Sequence, residues 1–136
     1  MVFKAISKLM HKIPLVRLVT LDKLYEQKRF ESCIKYHGMV QFGAKYQIMA
    51  DLIYARALYA SGDTDSSVEI FKKSYEKIDN HKYLNEDSAK FLKNFIRVNV
   101  FLTKKITANL GGINKNLNIK RVPKYMQSFF FHGENY

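Results

Sequence analysis

"LYASGDTDSSVEIFKKSYEKID", residues 58–79, is the stretch on which the reading of the chain turns. A run of helix-forming residues stops at Gly62, where a residue without Cβ can take the left-handed backbone that ends a helix. Asp63 or Thr64 then offers a side-chain oxygen to a free helical N–H, and Val68, Phe71, Tyr75 and Ile78 recur at helical spacing. The stretch predicts the end of one helix, a tight turn and a second, amphipathic helix. Upstream, Ile48, Leu52, Ala55, Leu58 and Tyr59 fall on one side of a helix expected over 45–61, so the two helices form an antiparallel hairpin.

The same plan is found one step earlier in the chain. Pro14 suits a first helical turn, and Leu15, Leu18, Val19, Leu21, Leu24 and Tyr25 follow at helical spacing, which predicts a helix over 14–27. After Lys28 and Arg29, a second helix carries Phe30, Cys33, Ile34, His37, Val40 and Gln41 and is expected to end at Gly43. Gly38 inside it marks either a weak point or the close approach of a neighbouring backbone. Laid in register, "KRFESCIK" at 28–35 falls over "GDTDSSVE" at 62–69, so that position 28 answers to position 62. That interval is the period of a two-helix repeat.

On "YARALYASGDTDSSVEIFKKSYEKID" and "LDKLYEQKRFESCIKYHGMV", the chain resembles the tetratricopeptide family over about residues 14–80, roughly half its length. The small residues Ala55 and Ser67, the turn Gly62 and the aromatic Phe71 stand where that family has them, and Cys33 takes the small-residue place in the earlier copy. Departures are Asp51 where the family often has Trp, Asp79 where it often has Pro, and Leu21, Lys28 and His37 in place of a small residue, the turn Gly and the aromatic. The resemblance implies an all-α fold of stacked antiparallel hairpins, an α-solenoid fragment, in which Cys33, Ala55, Gly62, Ser67 and Phe71 serve packing.

In such a fold the first helix of each hairpin lines a concave groove, here with Leu15, Leu18, Asp22, Tyr25, Met49, Leu52, Arg56 and Tyr59. Tyr25, Arg56 and Tyr59 are the expected anchors for a partner segment, because aromatic and Arg side chains carry much of the energy of interfaces. Family members that serve heat-shock chaperones hold a C-terminal carboxylate with Lys, Asn and Arg. The matching positions here are Leu18, Asp22, Ile53, Tyr83 and Asp87, an acidic and apolar set unsuited to an anion.

A fifth helix is expected to start after Asn85 or Asp87 and run through "SAKFLKNFIRVNVFL". The same repeat interval would place a turn near Ile96, and no turn residue is there, so a third repeat begins without its usual partner helix. From Lys104 the composition changes to Asn and Lys with Gly111, Gly112 and Pro123, which reads as loop or disorder ending in the aromatic patch Phe129, Phe130 and Phe131. The expected division is therefore an amphipathic segment over 1–13, a helical domain over 14–103 and a basic tail over 104–136. Such a tail would suit a truncated or alternatively terminated product.

Length and composition narrow the function. The chain has 136 residues, 47% of them apolar, and a formal net charge of +11, so it suits one modest domain or a fragment of a larger one. The charge sits at the ends: residues 1–28 hold six Lys and Arg against two acids, 29–102 eleven against nine, and 103–136 six against one. A nearly neutral middle disfavours nucleic acid as a partner. Positions 1–21 have no acid and carry Phe3, Ile6, Leu9, Met10 and Ile13 at helical spacing. That pattern fits a terminal packing helix better than a mitochondrial presequence, since Ser is scarce and Lys outnumbers Arg. No apolar run is long enough for a membrane span, and the single cysteine, Cys33, excludes an internal disulfide framework. An intracellular location, nuclear or cytoplasmic, is expected.

The chemistry-bearing residues do not assemble into a catalytic set in the sequence. His11, His37, His81 and His132 lie far apart without metal-ligand spacing, and His37 falls on a core stripe. Cys33 reads as a packing residue, with no base nearby in sequence to activate it. Asp63, Asp65, Glu86 and Asp87 suit helix starts, where the helix dipole favours negative charge. "GGINKN" lacks the spacing of a phosphate loop. The expectation is a non-catalytic interaction protein without cofactor, metal or small-molecule substrate. Within the tetratricopeptide family, "LYEQKRFESCIKYHGMV" and "KYQIMADLIYARALYASGDTDSSVEIFKKSYEKI" look most like the amino-terminal region of a scaffold subunit of the anaphase-promoting complex, a cell-cycle ubiquitin ligase. This implies homodimerisation and contact with other repeat subunits; the alternative is a peptide-binding adaptor that works as a monomer.

Overall fold

A computed structural model describes residues 13–103 and 112–130, and those residues are helical with turns and loops and no strand among them. The helices are α1 (Pro14–Glu26), α2 (Phe30–Met39), α3 (Gly43–Ala60), α4 (Thr64–Ile78), α5 (Glu86–Thr103) and α6 (Lys124–Phe130), with a 3-10 turn at Ile119–Arg121 before the last. The all-α expectation holds. The chain divides into two compact units between Asp63 and Thr64, so the two helices expected to pair over 45–79 fall one in each unit, and the single domain expected over 14–103 is shared between them. The segment before Ile13, residues 104–111, and the tail from Phe131, with His11, His132 and any presequence, lie outside the described residues.

In the first unit α1, α2 and α3 pack pairwise, each on the other two. Leu18 and Leu21 of α1, Cys33 of α2 and Ile48, Met49, Leu52, Ile53 and Ala55 of α3 are buried. Pro14 starts α1 without cost, since its missing N–H is one that the first turn leaves unpaired. Two helix ends in this unit are closed in the same way. After α3, Gly62 takes a left-handed φ of 100°, its N–H bonds Tyr59 O at 3.0 Å, and the Asp63 N–H bonds Leu58 O at 2.9 Å. After α1, Lys28 takes a φ of 60°, its N–H bonds Tyr25 O at 2.9 Å, and the Arg29 N–H bonds Leu24 O at 2.9 Å. This is the Schellman closure, and it occurs at the two positions that the expected register lays over each other. A lysine thus holds a conformation that costs an L-residue roughly 1 kcal/mol and glycine almost nothing.

Two details of the first unit differ from expectation. Gly43 does not end α2; the helix stops at Met39, Val40–Phe42 form the connection, and Gly43, at φ 76°, is the first residue of α3. Phe42 is the cause: it is fully buried, edge-on to Tyr36 at 6.3 Å, and the chain must leave the helix to bring it inward. Gly38 is exposed and a methyl group there would meet nothing within 4 Å, so no neighbouring backbone presses on it.

The second unit is built on α4 and α5, which pack along each other after the connection 79–85. Phe71, Phe95 and Phe130 form its aromatic centre, with ring centroids 6.3 Å apart for the first pair and 4.6 Å for the second. Such offset and tilted pairs add to what the buried area contributes. α5 runs unbroken through Ile96, as the absent turn residue implied. Of the tail expected as loop or disorder, residues 112–118 are loop and turn, whereas the 3-10 turn and α6 follow, and Val122, Met126, Phe129 and Phe130 are buried.

Polar side chains of α5 and of the residue before it secure that tail. The Asn94 amide, 1% exposed, donates to Asn114 O at 2.8 Å while its oxygen accepts the Asn114 N–H at 2.7 Å. Asp87 accepts the Asn118 N–H at 2.7 Å and faces Arg121 at 3.6 Å. Asn85 caps α5 by accepting the Ser88 N–H at 2.7 Å and donates to Arg121 O at 2.9 Å. Paired in this way, groups that would be costly to bury alone become fixed points of attachment.

Candidate functional site

The residues expected to line a groove separate into two sets. Leu18, Met49 and Leu52 are buried core, because the apolar faces of α1 and α3 that carry them are already used in the packing of the first unit. They are therefore no wall of an open groove. Asp22 is also buried, at 8% exposure. Tyr25 and Arg56 are half-buried and Tyr59 is exposed at 47%. With the half-buried Leu15, these are the part of the expected set that solvent, or a partner, can reach.

Arg56 of α3 lies over the Tyr25 ring of α1, with its guanidinium carbon 4.2 Å from the ring centroid, and Tyr25 in turn meets Phe30 of α2 at 5.6 Å. Cation–ring contact of this kind holds the guanidinium in place at little entropic cost on binding. Beneath it, burial pushes the Asp22 carboxyl up to about 6, the negative charge of Glu26 one turn along adds to the rise, and the Arg56 charge opposes it. Glu26 also shares a side-chain hydrogen bond with Asp22. The spot is a buried carboxyl, held above its ordinary range, beside Arg56 and Tyr25.

Cys33 stands close to Asp22 and donates to Leu21 O at 3.6 Å. Burial, with the Asp22 charge second, pushes its thiol up to about 12, which leaves almost no thiolate near neutral pH. The chemistry there is that of packing. Ala55, Ser67 and Phe71 are likewise buried, and Gly62 forms the turn described above.

His37 has a partner that sequence spacing did not reveal. Its Nε2 lies 2.8 Å from Asp51 Oδ1, the same oxygen accepts from Gln47 Nε2 at 2.9 Å, and the ring stacks on Tyr54 at 4.0 Å and on Phe42 at 5.8 Å. Two departures from the family pattern, His37 and Asp51, are thus one contact between α2 and α3. Only their joint departure hinted at it, since no spacing rule links two positions on different helices across a connection. Among the described residues no group of three His, Cys, Asp or Glu is placed to hold a metal ion, and no helix is long and apolar enough to cross a membrane.

The second unit carries a cleft of about 350 Å³ lined by the 79–85 connection, α5 and Asn114. Its charged lining is Asp79, Glu86, Lys90, Lys93 and Arg97. Lys93 pairs with Asp79, Lys90 with Glu86 at 3.1 Å, and Arg97 donates to the Tyr75 hydroxyl at 2.6 Å. Nothing in the sequence pattern singled this cleft out, because its acids and bases come from a loop and a helix whose meeting depends on the α4–α5 contact.

Comparison with protein-family models, with curated proteins and with solved structures finds no match to this chain.

Proposed function

We propose that the chain is a non-catalytic interaction protein, built from helical hairpins, that binds other helical-repeat proteins and a second copy of itself. The observation that supports this most is the grouping of Tyr25, Arg56 and Tyr59, three residues of the types that anchor interfaces, on helices α1 and α3. The repetition of one helix closure at Lys28 and Gly62 supports the repeat reading beside it. A repeat of two or three hairpins needs its end faces covered by a cap or a partner, which is the physical reason to expect association.

The finer reading, a scaffold subunit of the anaphase-promoting complex, is supported by the residue resemblance over 24–40 and 45–78. Affinity capture of the tagged full chain followed by mass spectrometry tests both levels. The expected result is enrichment of helical-repeat subunits of one ubiquitin ligase, reduced by Tyr59→Lys. Enrichment unchanged by that substitution would remove the proposed surface, and enrichment of no ligase subunit would remove the finer reading.

A further inference from the structure

We propose that the cleft of the second unit is a binding site for a small molecule carrying two phosphate groups. The proposal begins with the placement of charge on α5. Glu86, Ala89, Lys90, Lys93 and Arg97 share one face of the helix and all line the cleft. Lys90, Lys93 and Arg97 follow one another at three and four residues, so three cations stand in file along about 10 Å of helix axis. Like charges at these spacings oppose helix formation by as much as opposite charges support it. A helix with this sequence therefore carries a repulsion that an anion in the cleft relieves.

The acids already present relieve it only in part. The side chains of Lys90 and Lys93 are 27% and 19% exposed, whereas those of their partners Glu86 and Asp79 are 76% and 64% exposed. The cations are drawn in and their counter-charges remain largely in water, where an ion pair contributes little. Both acids stand at the rim, able to turn outward when a stronger anion enters.

The cations are also held ready. The Tyr75 ring lies 5.2 Å from Lys93 Nζ and 5.4 Å from the Arg97 guanidinium carbon, and its hydroxyl accepts from Arg97. Asn94 Oδ1 receives Arg97 Nη1 at 3.3 Å and also the Asn114 N–H, which ties the cation file to the far lining of the cleft. A guanidinium fixed in this way offers a planar fork to phosphate, and two ammonium groups beside it supply charge without directional demand. The volume, near the lower end for small-molecule sites, suits a diphosphate-sized group better than a polymer backbone.

Isothermal titration calorimetry of the full chain with sodium pyrophosphate, and with inorganic phosphate as comparison, tests the assignment. Saturable one-site binding of pyrophosphate is expected, with phosphate at least about tenfold weaker. Lys90→Gln should weaken pyrophosphate about tenfold, the loss of one charge-assisted bond, and Lys120→Gln, outside the cleft in the same unit, should leave it unchanged. Lys90 is chosen because its ion-pair partner, Glu86, stands on its own helix; Arg97→Gln, which also disturbs Tyr75 and Asn94, serves as the second variant, with circular dichroism confirming its fold. Absence of binding, equal affinity for phosphate, or equal loss in the Lys120 variant would each overturn the proposal. Tighter binding of an RNA oligomer or an acidic peptide at the same residues would overturn it as well.

Discussion

The two units solve the same problem, covering the apolar face of a helix, by different means. In the first unit three helices interlock mainly through aliphatic and small side chains, with Phe42 from the connection tucked among them, and the helical part of the pattern is written at intervals of three and four residues. In the second unit, two helices are completed by a segment whose attachment depends on Asn85, Asp87 and Asn94, each meeting a particular backbone group. Periodic apolar packing tolerates exchange of one hydrophobic residue for another, but a buried amide paired to one carbonyl and one N–H does not. Sensitivity to substitution should therefore be spread along the first unit and concentrated at a few polar positions in the second.

The largest expected effect sharpens the first half of this contrast. Leu52→Ala removes a fully buried side chain of α3 and should cost about 2–5 kcal/mol, with hydrogen exchange accelerating throughout 14–60. Leu52→Met should cost less than about 1.5 kcal/mol, because the volume is kept. In the second unit Asn94→Leu also keeps the volume, yet it leaves the Asn114 N–H and C=O without their partner; it should cost about 2–3 kcal/mol. Exchange should rise first over 112–130. A uniform rise over both units would break the contrast.

A substitution that stabilises tests the buried carboxyl. Asp22 keeps its proton up to about pH 6 in the fold, against an ordinary value of 3.8, so the folded chain binds more protons than the unfolded chain between these values. Stability should then fall as pH rises from about 4 to about 6, and the whole penalty is present above that range. Asp22→Asn, which retains a donor toward Glu26, should stabilise the chain by about 1–3 kcal/mol at pH 7 and by nearly nothing at pH 4, as read from urea unfolding at both values. The smallest effect concerns the paired closures: Lys28→Gly should stabilise by about 0.5–1 kcal/mol, and Gly62→Ala should cost about 1 kcal/mol although a methyl group there meets nothing within 4 Å. Opposite signs at these two positions would confirm that both residues hold the left-handed backbone.

This contrast also explains what was legible in the sequence. The positions of α1, α3, α4 and α5 and the turn at Gly62 followed from apolar spacing and from glycine chemistry, both of which are local. The register sets Lys28 over Gly62 and reads Lys28 as a departure from a turn glycine; the left-handed backbone that the lysine takes there is a finding of the structure. The start of α3 was missed because Gly43 reads equally well as a stop or a start, and only the burial of Phe42 decides between them. α6 is short and follows an Asn- and Lys-rich stretch without periodic signal, and the side chains that fix that stretch, Asn85, Asp87 and Asn94, lie far back in the chain. The groove was overestimated for a related reason: Leu18, Met49 and Leu52 obey helical spacing, but spacing alone does not say whether a face meets another helix or water.

Light scattering on the full chain at micromolar concentration tests the central claim, association through helical hairpins, most directly. The account predicts a mass near twice 16.0 kDa that falls to a single chain's mass in Tyr59→Lys with helicity unchanged. A mass of one chain for the unaltered protein across that range would contradict it.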